Sequence, residues 1–186
     1  MCGFLVTALL TVAPLLSSDF TAAPIEQSAA EILKATGVKG GLIVHVGCGD
    51  GRLTAALRIS DSFQVQGLDR DAANVRQACE YVKSRGLYGA VTVDRLIGDG
   101  LPYVDNLVNL VVAEELRDID EAEVLRVLVP RGVGYLKGSD GSWRKVVKPE
   151  PANIDEWTHY LHDASGNAVA HDDVVGRPKH LQWLGR

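Results

Sequence analysis

From residue 25 onward, short apolar runs alternate with stretches in which apolar residues recur every three or four positions. Ile25 to Ala35 carries Ile25, Ala29, Ile32 and Leu33 on one helical face, and Gly37 closes the segment. Leu42-Ile43-Val44-His45-Val46 predicts a short buried strand. Arg52 to Ile59 predicts a helix with Leu53, Ala56 and Leu57 on one side. A second strand covers Phe63 to Leu68, and a second long helix runs from Asp71 to Arg85, with Gly86 just past its end. Val91 to Ile97 predicts a third strand. Val108 to Ala113 predicts a fourth, whose unbroken apolar character implies burial on both faces. A helix over Asp120 to Leu128, a fifth strand over Val133 to Lys137 and a sixth over Trp143 to Val147 complete the series.

Strands that alternate with helices imply right-handed crossovers and a mainly parallel sheet. The predicted fold class is therefore α/β: a Rossmann-like, doubly wound sheet with strand order 3-2-1-4-5 and helices on both faces. Ligands in such sheets sit beyond the carboxyl ends of the strands, where the strand order reverses.

Texture divides the chain into residues 1–24, 25–148 and 149–186. Phe4 to Leu16 is nearly all apolar and is followed by Ser17, Ser18, Thr21, Ala22 and Ala23. That run is too short for a stable membrane span and suits a signal peptide, although no Lys or Arg precedes it. The competing reading is a buried N-terminal element. The first reading places the protein in the periplasm or another extracytoplasmic space; the second leaves it in the cytoplasm. Residues 149–186 are rich in Pro, His, Trp, Asp and Gly and form an irregular C-terminal extension.

Composition narrows the chemistry. The 186 residues carry a net charge of −5 with no run of Lys or Arg, which argues against nucleic acid as a partner. Cys2, Cys48 and Cys79 lack the spacing of a disulfide framework or a zinc site. His159, His162 and His171 show no metal-ligand spacing, so a polar linker is favoured over a metal site and no metal is expected.

The segment with most chemical content joins the first strand to the next helix: Gly47-Cys48-Gly49-Asp50-Gly51. Glycines there allow a tight turn and let a ligand approach the backbone, while the helix start offers its N–H groups. Cys48 reads as a small filler within the turn. Asp69 ends the second strand about twenty residues later, where an acid accepts ribose hydroxyls; its other reading is a helix N-cap. Arg70 follows it. Asp99 and Gly100 end the third strand, either as an adenine contact or as an ordinary Asp-Gly turn.

The order of these motifs resembles that of class I S-adenosylmethionine-dependent methyltransferases. Besides the strand-linked Gly-Cys-Gly-x-Gly turn and the two acids, the likeness includes Leu101-Pro102-Tyr103, the buried strand at Leu107 to Ala113, and Glu123 to Gly132 ending in Pro130-Arg131-Gly132. It spans about residues 37 to 138. The resemblance implies a short methyltransferase-type fold that binds S-adenosylmethionine as cofactor, with Gly47, Cys48, Gly49, Gly51, Asp69, Arg70, Asp99 and Gly100 as the binding set. The chain departs from the family pattern in four places. His45 stands where an acid often precedes the turn, Arg131 stands in the usual Pro-Gly-Gly, the fourth-strand exit Ala113-Glu114-Glu115 lacks an Asn-Pro-Pro-Tyr-type amino-methylation signature, and the last antiparallel hairpin is curtailed. Glu114 and His45 are the candidates for catalytic work near the cleft.

Residues 154–173 and 177–183 also resemble the lead-in to a β-propeller of the pyrroloquinoline-quinone-binding type, found in large exported planctomycete proteins. That likeness implies a downstream propeller as partner, and pyrroloquinoline quinone only if such a propeller follows. Two functions compete. One is a methyltransferase acting on an unidentified acceptor. The other is a catalytically inactive docking module beside a propeller.

Overall fold

The computed structural model describes residues 25–152 apart from 115, 117 and 139, together with 160, 161 and 164–166. Residues 1–24 and His159, His162 and His171 lie outside the described residues, as does most of the segment from 154 to 183.

The elements are α1 (Ile25–Thr36), β1 (Gly41–Val46), α2 (Arg52–Ala56), β2 (Phe63–Asp69), α3 (Ala72–Ser84), β3 (Val91–Arg95), β4 (Val108–Ala113), α4 (Glu121–Val127), β5 (Leu128–Lys137) and β6 (Trp143–Val147). They build one six-stranded sheet in the order β3-β2-β1-β4-β5-β6. All neighbours are parallel except the last pair, in which β6 runs against β5. The predicted order 3-2-1-4-5 is the order found. The curtailed antiparallel ending is a single strand of 5 residues.

Alternation along β1 sorts the core into two layers. Ile43 belongs with Ala29, Ile32 and Leu33 of α1, Leu57, and Ala78 and Val82 of α3. Val44 and Val46 belong with Val124 and Val127 of α4, Leu68, Val111 and Leu136. Each large aliphatic side chain so buried contributes about 1.5–3 kcal/mol relative to exposure. Three helices thus cover one face, and α4 covers part of the other. Over β2 and β3 that second face carries Gln64, Gln66, Thr92 and Asp94, and Gln66 donates to Asp94 at 3.1 Å. Polar side chains suit a sheet surface that faces solvent.

Several boundaries differ from the periodicity. The helix predicted over 52–59 ends at Ala56, where Leu57 caps it and turns its fully buried side chain into the core. Strand β3 ends at Arg95, before the exposed Ile97. Asp120 is the N-cap of α4, accepting from the Glu123 amide at 2.7 Å, and not its first residue. Leu128 leaves α4 directly in extended conformation, so β5 begins five residues before the predicted Val133. Its pairing with β4 shifts register between Val108 and Leu110, an irregularity of the kind that admits Pro130. Arg131, where the family usually has glycine, sits at φ 64, a left-handed conformation that costs a side-chain-bearing residue roughly 1–2 kcal/mol. Its guanidinium pairs with Glu150.

Gly67 faces the α2 layer, where an added Cβ would lie 3.0 Å from both Cys48 Cβ and Thr54 Cγ2. Gly67→Val should therefore destabilise the domain by ~1–3 kcal/mol through overpacking. A urea unfolding midpoint equal to wild type would contradict this packing.

Candidate ligand-binding site

A cavity of about 660 Å³ opens beyond the carboxyl ends of the parallel strands. Strand β1 contributes Val46 and leads to Gly47 and Gly49, and β2 contributes Leu68 and Asp69. Arg70, Asp71 and Asn74 follow from the start of α3, and Leu96 follows β3. Glu114, Leu116 and Ile119 follow β4, while Lys137 ends β5 next to Gly138. The site therefore lies where a doubly wound sheet places it, on both sides of the reversal between β1 and β4.

The glycine turn is drawn onto the end of β2. The Gly47 and Cys48 amides both donate to the Leu68 carbonyl, at 2.8 and 3.1 Å. The Gly49 amide donates to Asp69 Oδ2 at 3.0 Å. Gly47 and Gly49 have φ of 78 and 51, and a Cβ built on either meets nothing within 4 Å among the described residues. Both positions thus need a left-handed backbone and leave open space beside it. Gly51 serves the core instead. An added Cβ there would stand 2.7 Å from Ala78 Cβ, so the glycine permits α2 and α3 to pack closely.

Most of the turn's amides are occupied. Those of Gly47, Cys48, Gly49 and Gly51 have acceptors within the protein, and Arg52, the first residue of α2, donates to Asp50 Oδ1 at 3.0 Å. The turn supplies room beside the backbone, with an acid at the helix start where a phosphate binder presents bare amides.

Asp69 is the centre of the arrangement. Its Oδ2 accepts from Gly49 and from Asn74 Nδ2 at 3.2 Å, and its Oδ1 accepts from the Asp71 amide at 2.8 Å. The helix-capping role proposed as its alternative belongs to Asp71, whose Oδ1 accepts from the Ala73 amide at 2.7 Å. A carboxylate offers about four acceptor positions. The three protein donors leave room for one further hydroxyl, and a second requires Asn74 to yield.

The other expected residues divide. Cys48 is buried beneath the turn, and burial followed by the nearby Asp69 pushes its thiol up to about 12, so it is an inert filler. Arg70 donates to the Gly98 carbonyl at 2.8 Å and lies 3.7 Å from Asp118, bridging the loops after β3 and β4. Asp99 and Gly100 line a separate cavity of about 420 Å³ with Asp118, Asp120, Glu123 and Arg126. The two strand-end acids are therefore not brought together in one pocket. Glu114 lines the main cavity, with Lys137 Nζ at 3.8 Å from its carboxylate. His45 does not. It is 2% exposed on the α2 side of β1, with Nδ1 at 2.8 Å from Thr54 Oγ1 and Nε2 buried without a partner among the described residues. Its expected place near the cleft is corrected: alternation along β1 directs Val46, not His45, to the cavity. Sequence reasoning missed Asn74 and Lys137. Each has a positional signal, one in the first turn after Asp71 and the other at the end of a strand that points to the site.

Residues 43–132 match a family described as "Methyltransferase domain". The folded region has a methyltransferase-type fold. Comparison with curated proteins gives no match. Among solved structures, a proposed S-adenosyl-L-methionine-dependent methyltransferase from Methanococcus maripaludis shares 24% identity over 64% of this chain and 58% of that one, with a TM-score of 0.56. The [4+2]-cyclase SpnF shares 26% identity over 60% of this chain and 43% of its own, with a TM-score of 0.54. Geranyl diphosphate C-methyltransferase from Streptomyces coelicolor, solved with geranyl diphosphate and S-adenosyl-L-homocysteine, shares 19% over 60% and 45%, with a TM-score of 0.53. The chain thus spans about half the length of these proteins. The likeness establishes the fold, and the cyclase shows that this fold does not dictate one reaction.

Burial lowers the His45 pKa from 6.5 to about 4, against a smaller opposing pull from Asp69. Between those values the unfolded chain binds a proton that the folded domain excludes, so stability is retained above pH 6.5 and falls as pH drops toward 4. The stability advantage of wild type over His45→Gln should shrink by ~3 kcal/mol across that window. A difference that does not change with pH, measured by urea unfolding, would contradict the burial of a neutral imidazole.

Proposed function

We propose that the domain binds S-adenosylmethionine in the main cavity and serves transfer of its methyl group to a small-molecule acceptor. The observation that carries this reading is the open cradle at Gly47 and Gly49, with the Asp69 carboxylate at its edge. The residues present fit this cofactor. Asp69 has acceptor capacity for a ribose hydroxyl, and Leu68 and Leu96 give apolar wall for the nucleoside. The cavity's ionisable side chains are Asp69, Asp71 and Glu114 against Arg70 and Lys137, an excess of one negative charge that suits a ligand with an excess of one positive. The occupied amides of Gly47, Cys48, Gly49 and Gly51 and the acid at Asp50 favour this reading over a pyrophosphate ligand.

When bound, the cofactor supplies an electrophilic methyl group. The chain's own part is positioning and exclusion of water, which is most of what such a transfer requires. Glu114, half exposed at the end of β4, is the side chain placed to take a proton from an acceptor. The buried His45 has no access to the cavity. The export leader at residues 1–24 and the propeller lead-in at 149–186 belong to the same proposal. The mature protein from its native envelope should lack Met1, and N-terminal sequencing that finds Met1 would count against export.

Calorimetric titration of the full chain with S-adenosylmethionine and S-adenosylhomocysteine tests the reading. Wild type should bind both. Asp69→Ala removes a charge-assisted acceptor, worth about 1.5–3 kcal/mol, so affinity should fall roughly ten- to more than a hundredfold. Gly49→Val should do at least as much harm by placing a branched side chain in the cradle and straining the turn. Wild type that binds neither compound at millimolar concentration would overturn the proposal and favour the docking module.

A further inference from the structure

A second hollow, about 280 Å³, adjoins the main cavity. Helix α1 contributes Ser28, Glu31 and Ile32, α2 contributes Leu53, and β5 and β6 contribute Tyr135 and Trp143. Glu114 and Lys137 line both spaces and so stand at the boundary between them. Tyr135 and Trp143 stack with ring centres 4.8 Å apart and planes within 7°. Lys137 Nζ lies 5.8 Å from the centre of the Trp143 ring. The hollow thus has an aromatic wall, an aliphatic floor from Ile32 and Leu53, and a carboxylate at its junction with the main cavity.

Charge selects the occupant. The ionisable groups lining the hollow are Glu31 and Glu114, both negative, and Lys137, positive. A ligand with one positive charge balances that set, and an anion faces two carboxylates. Lys137 holds Glu114 only at 3.8 Å, and the two side chains are 36% and 51% exposed. The pair is loose enough to exchange partners at little cost. Aromatic faces favour a flat, cationic guest over an aliphatic one.

We propose that this hollow is the acceptor subsite and that it takes a small arylalkylamine, with its ring beside Trp143 and its nitrogen at Glu114. The inference rests on the functional reading above. The ammonium gives one proton to Glu114, which passes it to solvent, and so frees the nitrogen lone pair. The lone pair forms the new nitrogen–carbon bond, and the electron pair of the broken carbon–sulfur bond stays with sulfur. The product leaves as a methylammonium with the same charge as the amine that entered, and nothing is oxidised or reduced.

The test uses phenethylamine, with phenethyl alcohol and 3-phenylpropionate as its neutral and anionic counterparts. Binding to the full chain is followed by heteronuclear NMR, reading the Trp143 indole N–H, with and without S-adenosylhomocysteine. The amine should shift that signal and bind about fivefold more tightly than the alcohol, the effect of one half-exposed ion pair. Glu114→Gln, a surface change that leaves the core intact, should remove the preference. Trp143→Leu should weaken amine and alcohol alike by about five- to tenfold. Equal binding of amine and alcohol, stronger binding of the acid, or shifts that leave Trp143 unmoved would each overturn the proposal. If S-adenosylhomocysteine binds and the amine does not, the subsite fails while the cofactor reading stands. If the amine binds at Trp143 and S-adenosylhomocysteine does not, the hollow is a real amine site and the methyltransferase reading fails.

Discussion

The carboxylate of Asp69 holds the functional end of this domain together. It ends β2, yet it reaches across to the Gly49 amide of the β1 turn and to Asn74 in the first turn of α3. Three pieces of backbone that meet at the reversal of strand order are thereby fixed by one charged acceptor. Hydrogen bonds to a charged group are worth more than neutral ones, and this carboxylate is only 9% exposed, so losing it removes several at once. The two Leu68 carbonyl contacts to Gly47 and Cys48 place the turn close enough for the Asp69 bond to form. The open space at Gly47 and Gly49 follows from that geometry. A ligand that meets Asp69 therefore meets a side chain already committed to the shape of its own pocket.

The glycine turn shows how one motif divides into separate physical roles. Gly47 and Gly49 leave room on the cavity side, Gly51 leaves room for Ala78 on the core side, and Cys48 fills the space beneath. The amides of Gly47, Cys48, Gly49 and Gly51 are bonded within the protein. Electrostatic fit of the cavity then depends on side chains from other strands, with Glu114 and Lys137 meeting at the ends of β4 and β5. Two of the departures from the family pattern also have local accounts. His45 is neutral in the core and supplies no charge to the site. Arg131 bears a left-handed conformation at the far end of β5, away from the cavity, where it bears on stability and not on binding.

Strand order and the location of the site could be read from the sequence because both follow from local pattern. Leu42 to Val46 and Val108 to Ala113 are apolar runs that only a doubly covered sheet can bury, and glycines after the first of them mark its carboxyl end. Asp69 was legible by its distance from that turn, although its donors were not, because Gly49 and Asn74 reach it only after folding. Periodicity failed where side-chain burial and backbone conformation part company. Leu128 looks like the end of a helical face but turns extended, and Pro130 hides the start of β5. The separation of Asp99 from the main cavity was invisible for a similar reason. It depends on how the loop after β3 folds back toward α4, where Glu123 accepts from the Leu101 amide at 2.7 Å.

The central claim is that the ligand lies on the β1 and β2 ends, held at the turn that Asp69 organises. Amide chemical-shift mapping by NMR during titration with S-adenosylhomocysteine tests it most directly. The largest shifts are expected at Gly47, Gly49, Asp69 and Asn74, with Asp118 and Asp120 little changed. Shifts concentrated at Asp99, Asp118 and Asp120 while the turn stays silent would contradict the account.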